Sequence, residues 1–266
     1  MQLQHLYQLY LSSAGVTTDT RKVTAGTIFF ALKGDKFNAN LFAEEAMNSG
    51  AAYVVVDEIA NEAWVEKYKE RLIKVDDVLT TLQQLAGYHR RQFSFPVLAI
   101  TGSNGKTTTK ELVAVVLSKK YRTAFTKGNL NNHIGIPLTL LSIKKEETDF
   151  AVIEMGANHQ REIASYCVYV QPDYGLITNV GMAHVEGFGG FEGVVKGKTE
   201  LYEDLQLRGG KIFVSADNEI LGAKINTTDA AITYGTKHDA YCSGAIASSG
   251  QFLSVKCGND IINRCV

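Results

Sequence analysis

The glycine-rich segment T-G-S-N-G-K-T-T-T at 101–109 constrains this chain more than any other part of its sequence. It directly follows the apolar run 96–100, and apolar side chains recur at helical spacing after it, at Leu112, Val113, Val116 and Leu117. This order of strand, loop and helix places the loop at a helix N-terminus, where the helix macrodipole favours anions. The pattern therefore predicts a phosphate-binding loop.

The residue types within this loop suit a polyphosphate. Gly102 and Gly105 allow a tight turn that brings main-chain N–H groups close to the ligand, while Lys106 adds a cation and Thr107 a hydroxyl suited to Mg²⁺. Ile100 stands where the first glycine of the general G-x-x-x-x-G-K-[ST] pattern falls. The alternative is an ordinary strand-to-helix turn with a solvated lysine. The flanking strand and helix and the three successive threonines favour nucleotide binding.

Length and charge exclude several classes of function. The chain has 266 residues, enough for one large or two ordinary domains. Its formal net charge of −1 leaves no electrostatic footprint for nucleic acid. No apolar run approaches the ~20 residues that span a bilayer, and we expect a cytoplasmic protein without a membrane span. The four cysteines form no C-x-x-C pair and are expected to be free thiols.

The first part of the chain is predicted to form a small α/β domain over 1–93. A helix is expected to begin at Asp76 and Asp77 and to give way to the polar run H-R-R-Q at 89–92, with the domain boundary just beyond it. Before this helix the pattern predicts a strand, a helix and a strand, at 27–32, 41–48 and 51–56.

The second part, 94–266, repeats this alternation on a larger scale. Near-continuous apolar runs predict a mostly parallel sheet that is buried on both faces, with strands at 96–101, 150–155, 174–180 and 211–215. Ligands bind at the carboxyl ends of the strands in such sheets. Glu154 and Asn179 end two of these runs, and His184 follows shortly after. We therefore expect the functional site at this edge.

Each polar residue near this edge has two interpretations. Glu154 is either a Mg²⁺ ligand or a strand-end carboxylate that reaches solvent. His184 can complete a cation site, although a single histidine is more often structural. Lys198 on its own fits a solvated helix face. Asn131 and Asn132 are either hydrogen-bonding ligands for a polar substrate or turn formers.

Taken together, five segments resemble one family. The chain is similar to the Mur ligases of bacterial peptidoglycan synthesis, and most closely to those that join D-alanyl-D-alanine to UDP-N-acetylmuramoyl-tripeptide. The resemblance implies an N-terminal UDP-sugar-peptide domain followed by a P-loop ATPase domain. The matching segments are T-D-T-R-K-V-T-A-G-T-I-F-F-A-L-K-G-D-K-F-N (18–38), T-G-S-N-G-K-T-T (101–108), G-N-L-N-N-H-I-G-I-P-L-T-L-L (128–141), V-I-E-M-G-A-N-H-Q-R-E-I (152–163) and I-T-N-V-G-M-A-H-V-E-G-F-G-G-F-E-G-V-V-K-G-K-T-E-L (177–201).

The resemblance implies an ATP-dependent amide ligase that uses Mg²⁺. ATP phosphorylates the terminal carboxylate of the peptide, and the amine of D-alanyl-D-alanine attacks the acyl phosphate. The residues implied to hold the ATP phosphates are Gly102, Ser103, Asn104, Gly105, Lys106, Thr107 and Thr108. The implied metal ligands are Thr107, Glu154, His184 and a carbamylated Lys198, and the implied catalytic residues are Lys106, Glu154, His184 and Lys198.

The resemblance also implies where the UDP-sugar substrate binds. The residues implied for it in the leading domain are Thr18, Asp19, Thr20, Arg21, Lys33 and Gly34, while Asn131 and Asn132 are implied nearer the nucleotide or muramoyl region.

Members of this family carry a third, C-terminal domain, and the chain ends before the matching segments reach it. We therefore expect a partial central domain with weak or no turnover by itself. The alternative hypothesis is a non-catalytic nucleotide-binding or interaction protein that retains the scaffold. The intact set of Lys106, Thr107, Glu154, His184 and Lys198 favours the ligase.

Overall fold

The computed structural model of the protein describes residues 3–59, 62–226, 230–237, 239–248, 252–257 and 260–265. The chain folds into two compact units, neither of which is continuous in sequence. The first comprises the chain up to Phe95 together with Thr126–Asp149 and Val168–Gln171, and the second comprises Pro96–Phe125, Phe150–Cys167 and the chain from Pro172 onward. The division into sequence domains 1–93 and 94–266 stays a prediction.

Helices and strands alternate along most of the described chain. None of the described helices is long and apolar enough to cross a membrane. The helices are α1 (Leu3–Leu11), α2 (Ala43–Asn48), α3 (Glu62–Tyr68), α4 (Val78–Arg90), α5 (Lys106–Leu117), α6 (Gly135–Leu141), α7 (Glu162–Val170), α8 (Val185–Phe188), α9 (Phe191–Arg208) and α10 (Glu219–Gly222). The strands are β1 (Val16–Thr17), β2 (Ile28–Phe30), β3 (Lys33–Gly34), β4 (Phe37–Asn38), β5 (Tyr53–Val56), β6 (Leu72–Lys74), β7 (Val97–Thr101), β8 (Thr123–Phe125), β9 (Phe150–Glu154), β10 (Tyr174–Ile177), β11 (Lys211–Ser215), β12 (Ala231–Gly235), β13 (Cys242–Ser248), β14 (Phe252–Cys257) and β15 (Asp260–Cys265).

The first unit contains a four-stranded parallel sheet in the order β1-β2-β5-β6. All three residues of β2 are fully buried, as expected for a central parallel strand with apolar side chains on both faces. Small residues of α2 and aliphatic residues of β5 pack on Phe29. A separate antiparallel hairpin pairs β3 with β4.

Helix α4 begins where its sequence predicts. Asp77 is the N-cap, and its carboxylate accepts a hydrogen bond of 2.6 Å from the main-chain N–H of Thr80. The expectation that the helix gives way to a polar run at 89–92 is wrong in part, because α4 includes His89 and Arg90 and both are buried. The guanidinium of Arg90 donates to the carbonyl oxygens of Val170 and Gln171, which replace water as its partners.

The second unit contains a nine-stranded sheet in the order β15-β14-β13-β12-β11-β10-β7-β9-β8. The strands from β8 to β13 are parallel, and β14 and β15 are antiparallel additions at one edge. The predicted α/β fold with a mostly parallel sheet is therefore confirmed. The cysteines at 167, 242 and 257 are free thiols, as expected; the side chain of Cys265 lies outside the described residues.

Strand β7 lies between β9 and β10, and this position creates the functional edge. Ile100 is in register with Glu154, and Thr101 with Ile177. The carboxyl ends of three strands therefore meet where the glycine-rich segment leaves β7. The third predicted strand, 174–180, ends earlier, at Ile177, because the residues after it turn to contact the glycine-rich segment.

Candidate functional site

The loop of residues 102–105, here the glycine loop, connects the fully buried strand β7 to α5. Gly102 has φ 141° and Gly105 has φ 76°, in the region that favours glycine. A Cβ atom added to Gly102 would lie 2.0 Å from Oγ1 of Thr178, whereas one added to Gly105 meets nothing within 4 Å. Glycine is therefore required at 102 because Thr178 lies too close for a side chain. At 105 only the main-chain conformation favours glycine.

The segment after β10 holds the glycine loop in place. The main-chain N–H of Ser103 donates to the carbonyl oxygen of Asn179 at 3.0 Å, and that of Asn104 donates to the Asn179 side chain at 3.1 Å. Thr178 Oγ1 donates to the carbonyl oxygen of Asn104 at 2.7 Å. Ser103 Oγ exchanges hydrogen bonds with the main chain of Gly181. These contacts hold the loop against the segment that follows β10.

Lys106, the first residue of α5, folds back over the loop. Its ammonium donates to the carbonyl oxygens of Gly102 at 2.7 Å and Ser103 at 3.1 Å. Burial lowers the pKa of Lys106, and the negative charge of Glu154 opposes this shift. Thr107 and Thr108 follow in the first helical turn, where main-chain N–H groups have no acceptor within the helix. A cation and helix N–H groups therefore converge at this end of α5.

Glu154 is fully buried at the end of β9, which excludes the interpretation as a solvent-reaching carboxylate. Its Oε1 accepts a hydrogen bond of 3.0 Å from the hydroxyl of Thr107. The main chain just beyond it is held by Thr101, whose hydroxyl donates to the carbonyl oxygen of Met155 at 2.7 Å. A hydroxyl and a carboxylate, both hard oxygen ligands, therefore lie side by side next to the glycine loop.

Lys110, which was not among the predicted site residues, also faces this carboxylate. It is fully buried, and its ammonium lies 2.8 Å from Oε1 of Glu111 and 3.8 Å from Oε2 of Glu154. The ring of Phe125 lies 5.7 Å from the same ammonium. The sequence did contain one indication of this position. Lys110 is three residues after Thr107, and this spacing places the two side chains on the same side of a helix.

Lys198 is buried, with 1% of its surface exposed, so the interpretation as a solvated helix residue is wrong. Its ammonium donates to the carbonyl oxygen of Ala157 at 2.9 Å and lies 4.9 Å from the centre of the Phe188 ring. Burial, followed by repulsion from the charge of Lys106, lowers the pKa of Lys198 to about 8.

The loop of residues 155–161, which follows Glu154, is also held by carboxylates. Glu200, on the same helix as Lys198, accepts hydrogen bonds from the main-chain N–H groups of Arg161 at 2.5 Å and Ala164 at 2.9 Å. Glu162 accepts from those of Asn158 and His159. The sequence carries no signal for Glu200, because a glutamate within a helix is usually solvent-exposed.

His184 lies after β10, at the same edge of the sheet. It is the N-cap of α8, has φ 56° and is exposed. Among the described residues, no group of three or more His, Cys, Asp or Glu side chains is placed to hold a metal ion. The roles of Glu154, His184 and Lys198 as metal ligands therefore stay predictions.

Asn131 and Asn132 belong to the first unit and lie in the turn before α6. The Asn132 side chain accepts hydrogen bonds from the main-chain N–H groups of Ile134 at 3.1 Å and Gly135 at 2.8 Å. The main-chain N–H of Asn131 donates to the carbonyl oxygen of Asn129. Asn132 thus forms the turn that starts the helix, and a substrate role for the pair stays a prediction.

A cavity of about 400 Å³ in the first unit brings together Thr18, Asp19, Thr20 and Arg21. Its other lining residues are Phe29, Phe37, Ala39 and Phe42. Asp19 accepts two hydrogen bonds from the Arg21 guanidinium, at 2.9 and 2.8 Å, and these contacts lower the pKa of Asp19 to about 2. The guanidinium is thereby oriented while its side chain stays 86% exposed.

Lys33 and Gly34 form strand β3 beside this cavity. Gly34 is paired with Phe37, which lines the cavity. Lys33 forms an ion pair with Glu58, a contact that raises the pKa of Lys33. The hairpin therefore contributes to the cavity through Phe37 of strand β4, the partner of Gly34.

Two family profiles match the chain, and together they cover most of it. The profile described as Mur ligase family, catalytic domain, matches residues 13–90, and the Mur ligase middle domain matches residues 100–259. The chain belongs to the Mur ligase family.

Curated relatives of this Mur ligase are of the MurF type. The chain is 44% identical over 203 residues to UDP-N-acetylmuramoyl-tripeptide--D-alanyl-D-alanine ligase of Escherichia coli, covering 76% of this chain and 43% of the relative. It is 39% identical over 228 residues to the Bacillus subtilis ligase of the same name, covering 85% and 48%. The chain thus spans about half the length of the curated relatives it matches.

Solved MurF structures share the fold. MurF from Acinetobacter baumannii matches with a TM-score of 0.83 and 30% identity, over 96% of this chain and 59% of that one. MurF from Thermotoga maritima in complex with ADP matches with a TM-score of 0.82 and 25% identity, over 96% and 58%.

Proposed function

We propose that this Mur ligase supports ATP-dependent amide bond formation between UDP-N-acetylmuramoyl-tripeptide and D-alanyl-D-alanine in the cytoplasm. The observation that carries the proposal is the 3.0 Å contact between Thr107 and Glu154 beside a glycine loop at the carboxyl edge of a parallel sheet. The curated names of the MurF relatives support the choice of substrates.

The glycine loop and the start of α5 are proposed to bind the ATP phosphates. The proposed ligands are the loop main chain, the N–H groups of the first helical turn, and the ammonium of Lys106. The contacts of that ammonium with the carbonyl oxygens of Gly102 and Ser103 keep the cation at the loop, where phosphate oxygens would bind. The ADP complex of the Thermotoga maritima relative supports a nucleotide site in this fold.

The residues present fit Mg²⁺. Thr107 and Glu154 offer a hydroxyl and a carboxylate oxygen, the donors that Mg²⁺ takes together with substrate phosphates. We assign His184 and a carbamylated Lys198 as further ligands on the family resemblance. Burial and the charge of Lys106 lower the pKa of Lys198 to about 8, and this favours the neutral amine that carbamylation requires. When bound, Mg²⁺ neutralises charge on the transferring phosphoryl group.

The chain's own residues then act by positioning. The peptide carboxylate takes the terminal phosphoryl group of ATP, and ADP leaves. The amine of D-alanyl-D-alanine attacks the acyl carbon, the bond to phosphate breaks, and the amine loses a proton. Lys106 stabilises negative charge on the transferring group, and the anchored loops hold the reacting groups in register.

The cavity of the first unit is proposed to bind the UDP part of the substrate. Its oriented Arg21 guanidinium matches a diphosphate, and its phenylalanine rings offer faces for a base. Lys33 and Gly34 are proposed to line the sugar side.

Calorimetric titration of the folded chain tests the proposal. We expect binding of UDP-N-acetylmuramoyl-tripeptide that exceeds binding of UDP-glucose, and separate binding of ADP with Mg²⁺. Lys106→Ala is expected to weaken ADP affinity roughly tenfold to a hundredfold, the effect of losing a charged hydrogen bond. The exposed Lys119 provides the control, Lys119→Ala. Equal ADP affinity in Lys106→Ala and Lys119→Ala would refute the role of the loop. If the folded chain bound neither UDP-N-acetylmuramoyl-tripeptide nor ADP, the non-catalytic scaffold would be favoured.

A further inference from the structure

We infer that Lys110 is a positioning residue for the proposed magnesium site, because its ammonium lies 3.8 Å from the second oxygen of the Glu154 carboxylate, on the same side of α5 as Thr107. This inference rests on the proposed Mg²⁺-nucleotide site. It concerns a residue that lies one helical turn away from the glycine loop.

A side chain of α5 lies near each oxygen of the Glu154 carboxylate. Thr107 donates to Oε1 at 3.0 Å, and the Lys110 ammonium lies 3.8 Å from Oε2. Both side chains belong to α5, so the helix presents a hydroxyl and an ammonium to the carboxylate at a fixed spacing. Strand β9 fixes its other end through the main chain.

Burial confines Lys110 beside Glu154. Lys110 and Glu154 are both fully buried, and lysine and glutamate are almost never fully buried unless paired. The Phe125 ring closes another side of the ammonium, and the carboxylate of Glu111 contacts it at 2.8 Å. Lys110 therefore has little room to move away from Glu154.

The distance between the Lys110 ammonium and Glu154 leaves the carboxylate able to bind a metal ion. Charge-assisted N–H···O contacts measure about 2.7–2.9 Å, so the 3.8 Å separation attracts Oε2 without the tight contact that would compete with a metal. Lys106, the other nearby cation, is assigned to the phosphates. Lys110 is then the ammonium that continues to orient Glu154 when nucleotide is bound.

The test is Mg²⁺ titration of the chain saturated with ADP, a binding measurement that needs no turnover. Groups that orient metal ligands typically contribute about 10–100-fold to metal affinity, and we expect a loss of this size in Lys110→Met. ADP affinity measured in EDTA should stay unchanged. Lys110→Arg keeps the charge and is expected to recover most of the Mg²⁺ affinity.

Two controls separate positioning from simple charge loss and from a structural ion pair. Lys119→Met removes an exposed cation just beyond α5, and Glu111→Gln removes the other carboxylate that contacts Lys110. Both are expected to keep the parental Mg²⁺ affinity. A loss in Glu111→Gln equal to that in Lys110→Met would overturn the inference, because the pair with Glu111 would then account for the effect.

Lys110→Gln is measured in parallel because it keeps a polar group at this buried position should the Met variant not fold. We expect Lys110→Gln to bind Mg²⁺ more weakly than the parent chain, as Lys110→Met does. Parental affinity in a folded Met or Gln variant overturns the role of Lys110 and leaves the proposed function intact. Failure of the parent chain itself to bind Mg²⁺ with ADP would overturn both.

Discussion

The ammonium of Lys198 donates a 2.9 Å hydrogen bond to the carbonyl oxygen of Ala157 and thereby ties helix α9 to the loop that follows Glu154. The carboxylate of Glu200, two residues further along the same helix, accepts hydrogen bonds from the main-chain N–H groups of Arg161, at the end of that loop, and Ala164, in the first turn of α7. One helix thus holds both ends of the segment 157–164. This segment begins shortly after Glu154, the last residue of β9.

Glu200→Ala is expected to destabilise the second unit. The substitution leaves the N–H groups of Arg161 and Ala164 without their carboxylate acceptor, at a cost of about 1–3 kcal/mol for each group that stays buried. Denaturant unfolding gives the loss, and hydrogen exchange should rise at 158–164. The exposed Glu203 supplies the matched control on the same helix. Equal stability of Glu200→Ala and Glu203→Ala would contradict the anchoring role.

Gly102→Ala is expected to abolish nucleotide binding. Its new Cβ would lie 2.0 Å from Thr178 Oγ1, so the glycine loop must separate from the segment that holds it. Gly209→Ala is the control, because Gly209 has φ 74° with nothing within 4 Å and incurs only the left-handed conformational cost of about 1–2 kcal/mol. ADP titration and thermal unfolding of both variants check the difference. Retained ADP affinity in Gly102→Ala would show that the loop can adapt.

The sequence predicted where the functional edge of the sheet lies, but it did not predict the side-chain contacts at that edge. The apolar runs defined β7, β9 and β11 because buried parallel strands need apolar residues on both faces. The same periodicity located the glycine loop between β7 and α5. It could not show that Lys198 and Lys110 are buried, because a lysine within a helix looks the same in sequence whether it faces solvent or a carboxylate.

Long-range contacts account for the other differences. His89 and Arg90 look like the polar end of a helix, yet they are buried by residues more than fifty positions away, at Ile143 and Val170. The segments 126–149 and 168–171 pack with the first unit although they follow the glycine loop in sequence. No local pattern carries that information, since it depends on which distant segments pack together.

Acidification is expected to destabilise the chain through His89. Burial lowers the pKa of His89 below its usual 6.5, while its ring contacts the Tyr7 hydroxyl at 3.0 Å and the Ile143 carbonyl oxygen at 2.8 Å. As the pH falls below 6.5, the unfolded chain binds a proton at this histidine before the native chain does. The contribution to stability is therefore present above pH 6.5 and is lost as the pH falls toward the native pKa.

His89→Gln provides the measurement of this effect. Glutamine does not titrate, so the free energy of unfolding of the variant should fall less between pH 7 and 5 than that of the parent, in urea unfolding at each pH. His5, exposed on α1, supplies the control His5→Gln, which should follow the parental profile. Parallel pH profiles for the parent and His89→Gln would assign the acid sensitivity to other groups.

Arg21→Met is expected to weaken binding of UDP-N-acetylmuramoyl-tripeptide roughly tenfold to a hundredfold, the value of a charged hydrogen-bonding group at a diphosphate. Asp19 holds the Arg21 guanidinium at 2.9 and 2.8 Å beside the cavity, so the cation is oriented before the ligand binds. Lys22→Met removes a neighbouring exposed cation that is not a lining residue and should leave affinity unchanged. Calorimetric titration with the substrate and with UDP compares the variants. If both substitutions weakened binding equally, net charge around the cavity would explain the affinity; a loss confined to Arg21→Met assigns it to the oriented guanidinium.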